Sequence, residues 1–152
     1  MTDALHLARD VGQAMWDRDR ATKFLGMELV EVTPGRARLT MTVQPDMVNG
    51  HGLCHGGMIF TLADSAFAYA CNSYNQNTVA SACGVDFLAP ARVGDVLEAE
   101  AAERSLAGRT GVYDVTVRIQ GGATVALFRG KSYRIKGEVI AGLEAAGDPR
   151  QP

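Results

Sequence analysis

Gly57-Met58-Ile59-Phe60-Thr61-Leu62-Ala63-Asp64-Ser65-Ala66-Phe67-Ala68-Tyr69-Ala70-Cys71-Asn72-Ser73 is the stretch that decides the fold. It is alanine-rich, free of proline and poor in polar residues. That composition predicts a helix of about 17 residues, roughly 25 Å long. The run is apolar around most of its circumference, so it belongs inside the molecule rather than on the surface.

Working outward, the flanks read as strands. Upstream, Met27 to Val32 is a short apolar run, and Thr33-Pro34-Gly35 signals a turn. Ala37, Leu39, Met41 and Val43 then alternate with Arg36, Arg38, Thr40 and Thr42, the period of a strand with one wet face. Together they predict a hairpin. Downstream come four strand-like runs, 79–88, 95–104, 109–119 and 124–135. Short gaps separate them, at Pro90 to Gly94, Ser105 to Gly108 and Gln120 to Gly122, and such gaps predict antiparallel hairpins. Residues 3–24 read as one further helix, ended by Gly26. The expectation is an α+β fold, a six-stranded antiparallel sheet wrapped around a long central helix. Small side chains at Ala99 and Ala101 would let the sheet curl closely. One domain is expected over residues 1–137, with 138–152 as a flexible tail. A single sheet around one helix leaves edges open, so oligomerisation is expected.

The chain has 152 residues, one domain's worth. At 47% hydrophobic and 21% charged it is not a disordered chain. Its 15 Lys+Arg against 17 Asp+Glu leave a net charge of −2. That offers no basic excess for nonspecific nucleic-acid binding. The cysteines are Cys54, Cys71 and Cys83, an odd number without a C-x-x-C pair, which points to a reducing compartment. Charges throughout Met1 to Arg20 exclude a signal peptide there, and no apolar run is long enough to cross a bilayer. A cytoplasmic protein is expected, without membrane or nucleic-acid partners.

Asp64 is the residue that needs explaining. An ionised carboxylate among Leu62, Ala63, Ala66 and Phe67 costs several kcal/mol unless it is paired. Its helical neighbours three and four positions away are Phe60, Thr61, Phe67 and Ala68, none of them a cation. Either this turn reaches solvent or a distant arginine, or Asp64 lies at the bottom of a cleft with a raised pKa, ready for acid–base or nucleophilic work. Directly before the helix stands His51-Gly52-Leu53-Cys54-His55-Gly56-Gly57. Amides at a helix N-terminus are unpaired and partly positive, and glycines let a ligand approach. Such a site binds an anion or stabilises an oxyanion. Asp64 is about two turns further on, roughly 10–12 Å along the axis. A second subunit would bring the two features together.

Other readings of this segment stay open. His51, Cys54 and His55 are metal-ligand types, although three ligands within five residues are sterically awkward. Cys54 beside His55 is a nucleophile–base pair by type, and the two histidines also suit a plain structural loop. Phe128 to Arg134 carries Arg129, Lys131 and Arg134, which fit a solvated face or a phosphate contact. No G-x-S-x-G, G-x-x-x-x-G-K-[ST] or H-E-x-x-H motif is present.

Asn49-Gly50-His51, Cys54-His55-Gly56-Gly57 and Leu62 through Ala70 resemble the PaaI-type branch of the hotdog-fold acyl-CoA thioesterases. The likeness extends through Val79 to Ala82, Asp86-Phe87-Leu88, Thr110 to Asp114 and Val125 to Ser132, covering roughly residues 5–136. It implies a hotdog fold and a homotetramer built as a dimer of dimers, with active sites at dimer interfaces. It implies hydrolysis of aryl-acetyl-CoA thioesters, phenylacetyl-CoA and its ring-hydroxylated forms, with coenzyme A as part of the substrate and no further cofactor or metal. By position Asp64 matches the catalytic carboxylate, and Gly56 and Gly57 match the glycines one of whose amides polarises the carbonyl. His55 and Asn49 match the polar residues ordering the site. Lys131, Arg129, Arg134 and Arg92 are the candidates for the coenzyme A phosphates. Two rivals are a hydratase or dehydratase on the same fold, using His51 with Asp46, and a noncatalytic acyl-CoA-binding protein.

Overall fold

The alternation along 36–43 sets the inner face of the sheet: Ala37, Leu39, Met41 and Val43 are buried while Arg36 and Thr42 face water. A computed structural model describes residues 3–143. Its elements are α1 (Ala4–Arg18), α2 (Arg20–Phe24), β1 (Glu28–Thr33), β2 (Arg36–Thr42), a 3₁₀ turn (Pro45–Met47), α3 (Gly56–Asn72), β3 (Thr78–Phe87), β4 (Val96–Ala107), β5 (Thr110–Ile119) and β6 (Thr124–Arg134). The strands form one antiparallel sheet in the order β1-β2-β4-β5-β6-β3. This is the expected α+β architecture.

α3 packs against β2, β4 and β5. Leu62, Ala63, Ala66, Phe67 and Ala70 of the helix are buried, as are Ala99 and Ala101 of β4. Phe67 makes an edge contact with Tyr113, ring centroids 5.6 Å apart. A Cβ at position 130 would stand 2.8 Å from the Phe67 ring, so only glycine lets β6 pass there. Burying one such aromatic side chain stabilises the fold by about 2–3 kcal/mol.

Two expectations are corrected. The single helix over 3–24 is two helices, broken at Asp19. The Asp19 carboxylate accepts from the Thr22 amide at 3.2 Å, capping α2, and from the Tyr69 hydroxyl at 3.0 Å. Capping competes with continuing the helix, and the tyrosine on α3 favours the cap.

Nor do β3 and β4 form a hairpin. β3 pairs with β6 at the sheet edge, and the connection carries the chain across to β2. Loop contacts fix that crossing: Cys54 N–H to Ala91 O at 2.8 Å, Gly94 N–H to Val43 O at 2.9 Å and Val43 N–H to Asp95 O at 2.9 Å. Within residues 138–143, the described start of the expected tail, Asn75 finds its hydrogen-bond partners. Asn75 donates to the carbonyls of Ile140 and Leu143 at 3.1 and 2.9 Å and accepts from the Ile140 amide at 2.8 Å. The rest of the tail, 144–152, lies outside the described residues. No described helix is long and apolar enough to cross a membrane.

Candidate active site

α3 has a second, more open stripe. Thr61, Asp64, Ser65 and Ala68 are only half-buried, on the side of the helix toward β3. Hydroxyls flanking the carboxylate are spent on the helix itself: Thr61 Oγ1 donates to Gly57 O at 2.8 Å and Ser65 Oγ to Thr61 O at 2.7 Å. Asp64 makes no ion pair among the described residues. Burial therefore acts on it uncompensated and pushes its carboxyl above the ordinary carboxylate value. One side chain from another element meets it, Cys83 of β3, with Sγ 4.0 Å from Oδ1.

At the start of α3, His55 is the N-cap, and its Nδ1 accepts from the Gly57 amide at 2.9 Å. That bond fixes the tautomer with the proton on Nε2. The Gly57 amide is thereby occupied. The Gly56 amide precedes the helical ladder and meets no acceptor among the described residues. A Cβ on Gly56 would lie 3.0 Å from the Phe87 ring, so the glycine lets that ring sit against the helix start. Asn49 orders the preceding loop: its Oδ1 accepts from the amides of His51 and Leu53 at 2.9 and 3.2 Å.

These features do not converge within one chain. Gly56 and Asp64 are eight residues apart on a straight helix, about 12 Å along its axis. His51 and Asp46 are exposed. Cys54 is buried and its thiol is pushed up by desolvation, which disfavours a thiolate nucleophile, while the ring of His55 is turned to Gly57. Among the described residues no group of three or more His, Cys, Asp or Glu gathers to hold a metal ion.

The four cations are dispersed. Arg129 and Lys131 are exposed on the sheet face turned away from α3, whereas Arg134 falls on the opposite side by alternation. Arg129 grips Asp114 through two bonds, at 2.7 and 3.0 Å, and Arg104 adds a third at 2.9 Å. The Arg129 hydrogen bond, with help from Arg104, holds the Asp114 carboxyl below its ordinary value. These groups, with Gly84 and Leu127, line an open groove of about 600 Å³. Arg92 is exposed on the connection before β4.

Cys83 and Phe87 were not expected at these sites. Strand alternation was the available signal, but a bulge between Ala80 and Ala82 changes its phase. Without it Cys83 would stand opposite Arg129; with it Cys83 is opposite Gly130 and Val85 opposite Phe128, on the helix side. β3 is also a bare edge. Among the described residues it pairs with β6 alone, and Val79, Phe87 and, just beyond the strand, Leu88 are 46, 53 and 56% exposed.

Residues 51–126 match the Thioesterase superfamily. The acyl-coenzyme A thioesterase PaaI of Escherichia coli K12 is 50% identical over 134 residues, spanning 88% of this chain and 96% of the relative. The structure of the E. coli PaaI protein from the phenylacetic acid degradation operon superposes with a TM-score of 0.88 at 49% identity, covering 90% of this chain and 99% of that one. A Streptococcus mutans UA159 protein bound to acetyl CoA gives 0.70 at 27% identity, over 74% of this chain and 90% of that one. Six antiparallel strands around one long helix, and a likeness that runs nearly the full length of PaaI, lead to one conclusion: this chain belongs to the thioesterase superfamily and has its hotdog fold.

Proposed function

We propose that the protein hydrolyses aryl-acetyl-CoA thioesters, phenylacetyl-CoA and its ring-hydroxylated forms, to the free acid and coenzyme A. The observation that carries this reading is a half-buried aspartate, paired with no cation among the described residues, midway along α3 and open toward the bare strand β3. Over 134 aligned residues the chain is 50% identical to a thioesterase from a phenylacetic acid degradation operon, which supports the acyl class.

The thioester carbonyl oxygen accepts from the Gly56 amide at the positive end of α3, and the Gly57 amide, held by His55, keeps the turn in shape. Asp64 either takes a proton from water as that water attacks the carbonyl carbon, or attacks the carbon itself to form a mixed anhydride that water then opens. In both routes the carbonyl π pair moves onto oxygen, then returns as the C–S bond breaks and coenzyme A leaves as thiolate. Asn49 and His55 order the approach to the helix start. Lys131, Arg129, Arg134 and Arg92 are the groups for the phosphates, with Arg129 already committed to Asp114.

The 12 Å separation is spanned by a second copy of the chain, whose β3 pairs edge to edge with this one. Asp64 of each protomer then faces the helix start of the other, and two such dimers make the tetramer. Asp64→Asn tests the chemistry. It is expected to keep the fold and lower phenylacetyl-CoA turnover at least about 100-fold. Wild-type turnover by that variant contradicts the assignment. Tight acyl-CoA binding without thiol release by the wild-type protein contradicts hydrolysis altogether.

A further inference from the structure

We propose that Cys83 is a positioning residue, its S–H group holding the Asp64 carboxylate in its working orientation. This rests on the reading of Asp64 above and adds a member to the same site. A lone carboxylate on a helix rotates unless something holds it, and the nearest hydroxyls, Thr61 and Ser65, are bonded to the helix backbone. Cys83 comes from a different element, and its Sγ stands 4.0 Å from Oδ1. Like other catalytic hydrogen bonds, this contact is expected to shorten in the substrate complex.

The placement is built into the strand. The bulge between Ala80 and Ala82 turns Cys83 to the helix side, and the residue opposite it on β6 is Gly130, which has no side chain to intervene. The titratable groups that face Asp64 are Cys83 from β3 and Cys71 from α3. Cys71 Sγ is turned to the Ala68 carbonyl, at 3.5 Å. Burial and the nearby Asp64 charge both push the Cys83 thiol up, so it remains protonated and able to donate. A thiol is a weak donor. It orients the carboxylate without draining the basicity that the reaction needs.

The test compares wild type, Cys83→Ala, Cys83→Ser and Asp64→Asn on phenylacetyl-CoA across pH. Thioester absorbance is followed so that protein thiols do not interfere, and folding is checked by circular dichroism. Cys83→Ala is expected to lower kcat about three- to tenfold with KM within about twofold, the pattern of a lost transition-state interaction. Its acid limb moves to higher pH, because a donor to the charged carboxylate is gone. Cys83→Ser restores kcat and moves that limb back below the alanine variant's. An unchanged kcat and acid limb in Cys83→Ala, beside an inactive Asp64→Asn, overturns the proposal alone. So does an equal loss in the alanine and serine variants with no movement of the limb, the mark of packing. A fully active Asp64→Asn overturns the reading of Asp64 first, and this proposal with it.

Discussion

The two sides of α3 are built from one 17-residue helix and serve opposite ends. On one side Leu62, Ala63, Ala66 and Phe67 are at most 1% exposed, and the polar groups are gone. On the other, Thr61, Asp64 and Ser65 are half-open, and an aspartate sits where a helix gains nothing from it. The first side is what a fold needs. The second costs stability, since the ionised carboxyl is desolvated without a counter-charge. On the proposed reading, a residue that weakens its own helix and, among the described residues, is met from another element by a thiol alone serves the chemistry rather than the packing.

Variants on the two sides should therefore separate stability from turnover. Phe67→Ala empties the space between Tyr113 and Gly130 and is expected to cost about 3–5 kcal/mol, read from chemical denaturation. Turnover per folded molecule should fall far less than the folded fraction does. Asp64→Asn should do the reverse, losing turnover while gaining thermal stability at neutral pH. The sign follows from the raised carboxyl. The native state holds the Asp64 proton more tightly than the unfolded chain does, so the wild type loses stability as pH rises from the ordinary value of 3.8 through the higher native one. The asparagine variant has nothing to ionise, so its advantage should vanish at low pH. In the wild type the same shift places the acid limb of kcat/KM above 3.8. A stability gap that stays constant with pH would break the contrast.

The open side also depends on β3. Val79→Lys combined with Leu88→Lys adds charge at two exposed positions of the bare edge. The chain should fold, sediment as a monomer and lose at least about 100-fold in activity, as Asp64→Asn does, because no site then holds both groups. An active monomer would place the whole site within one chain. The smallest effect is expected from His55→Ala, which removes the acceptor of the Gly57 amide and should cost about 1 kcal/mol, the value of a helix cap.

How far the sequence could be read follows from the range of the forces involved. β2 and α3 were legible because their patterns are local, alternation in one and an unbroken apolar run in the other. Asp64 stood out for the same reason: its neighbours on the helix offer no counter-charge. Asp19 was not legible as a break, because the tyrosine that holds it is 50 residues away. The β3–β4 gap looked like a hairpin, because the contacts pinning it to Cys54 and Val43 are tertiary. Cys83 was hidden by a single extra residue in β3, which reverses every face after it. Arg129 read as free because its partner Asp114 lies on the neighbouring strand.

The most direct test of a shared site is complementation between two inactive variants. Asp64→Asn removes the carboxylate. Gly56→Pro removes the amide at the first helical position, where the proline backbone is tolerated after an extended His55 (φ −60°, ψ 132°), and the Phe87 ring, 3.0 Å from a Cβ there, has to give by a few tenths of an ångström. In a mixed dimer one of the two sites regains both intact groups, so unfolding and refolding an equal mixture should recover about a quarter of wild-type activity. A mixture as inactive as its two components would contradict a site made by two chains.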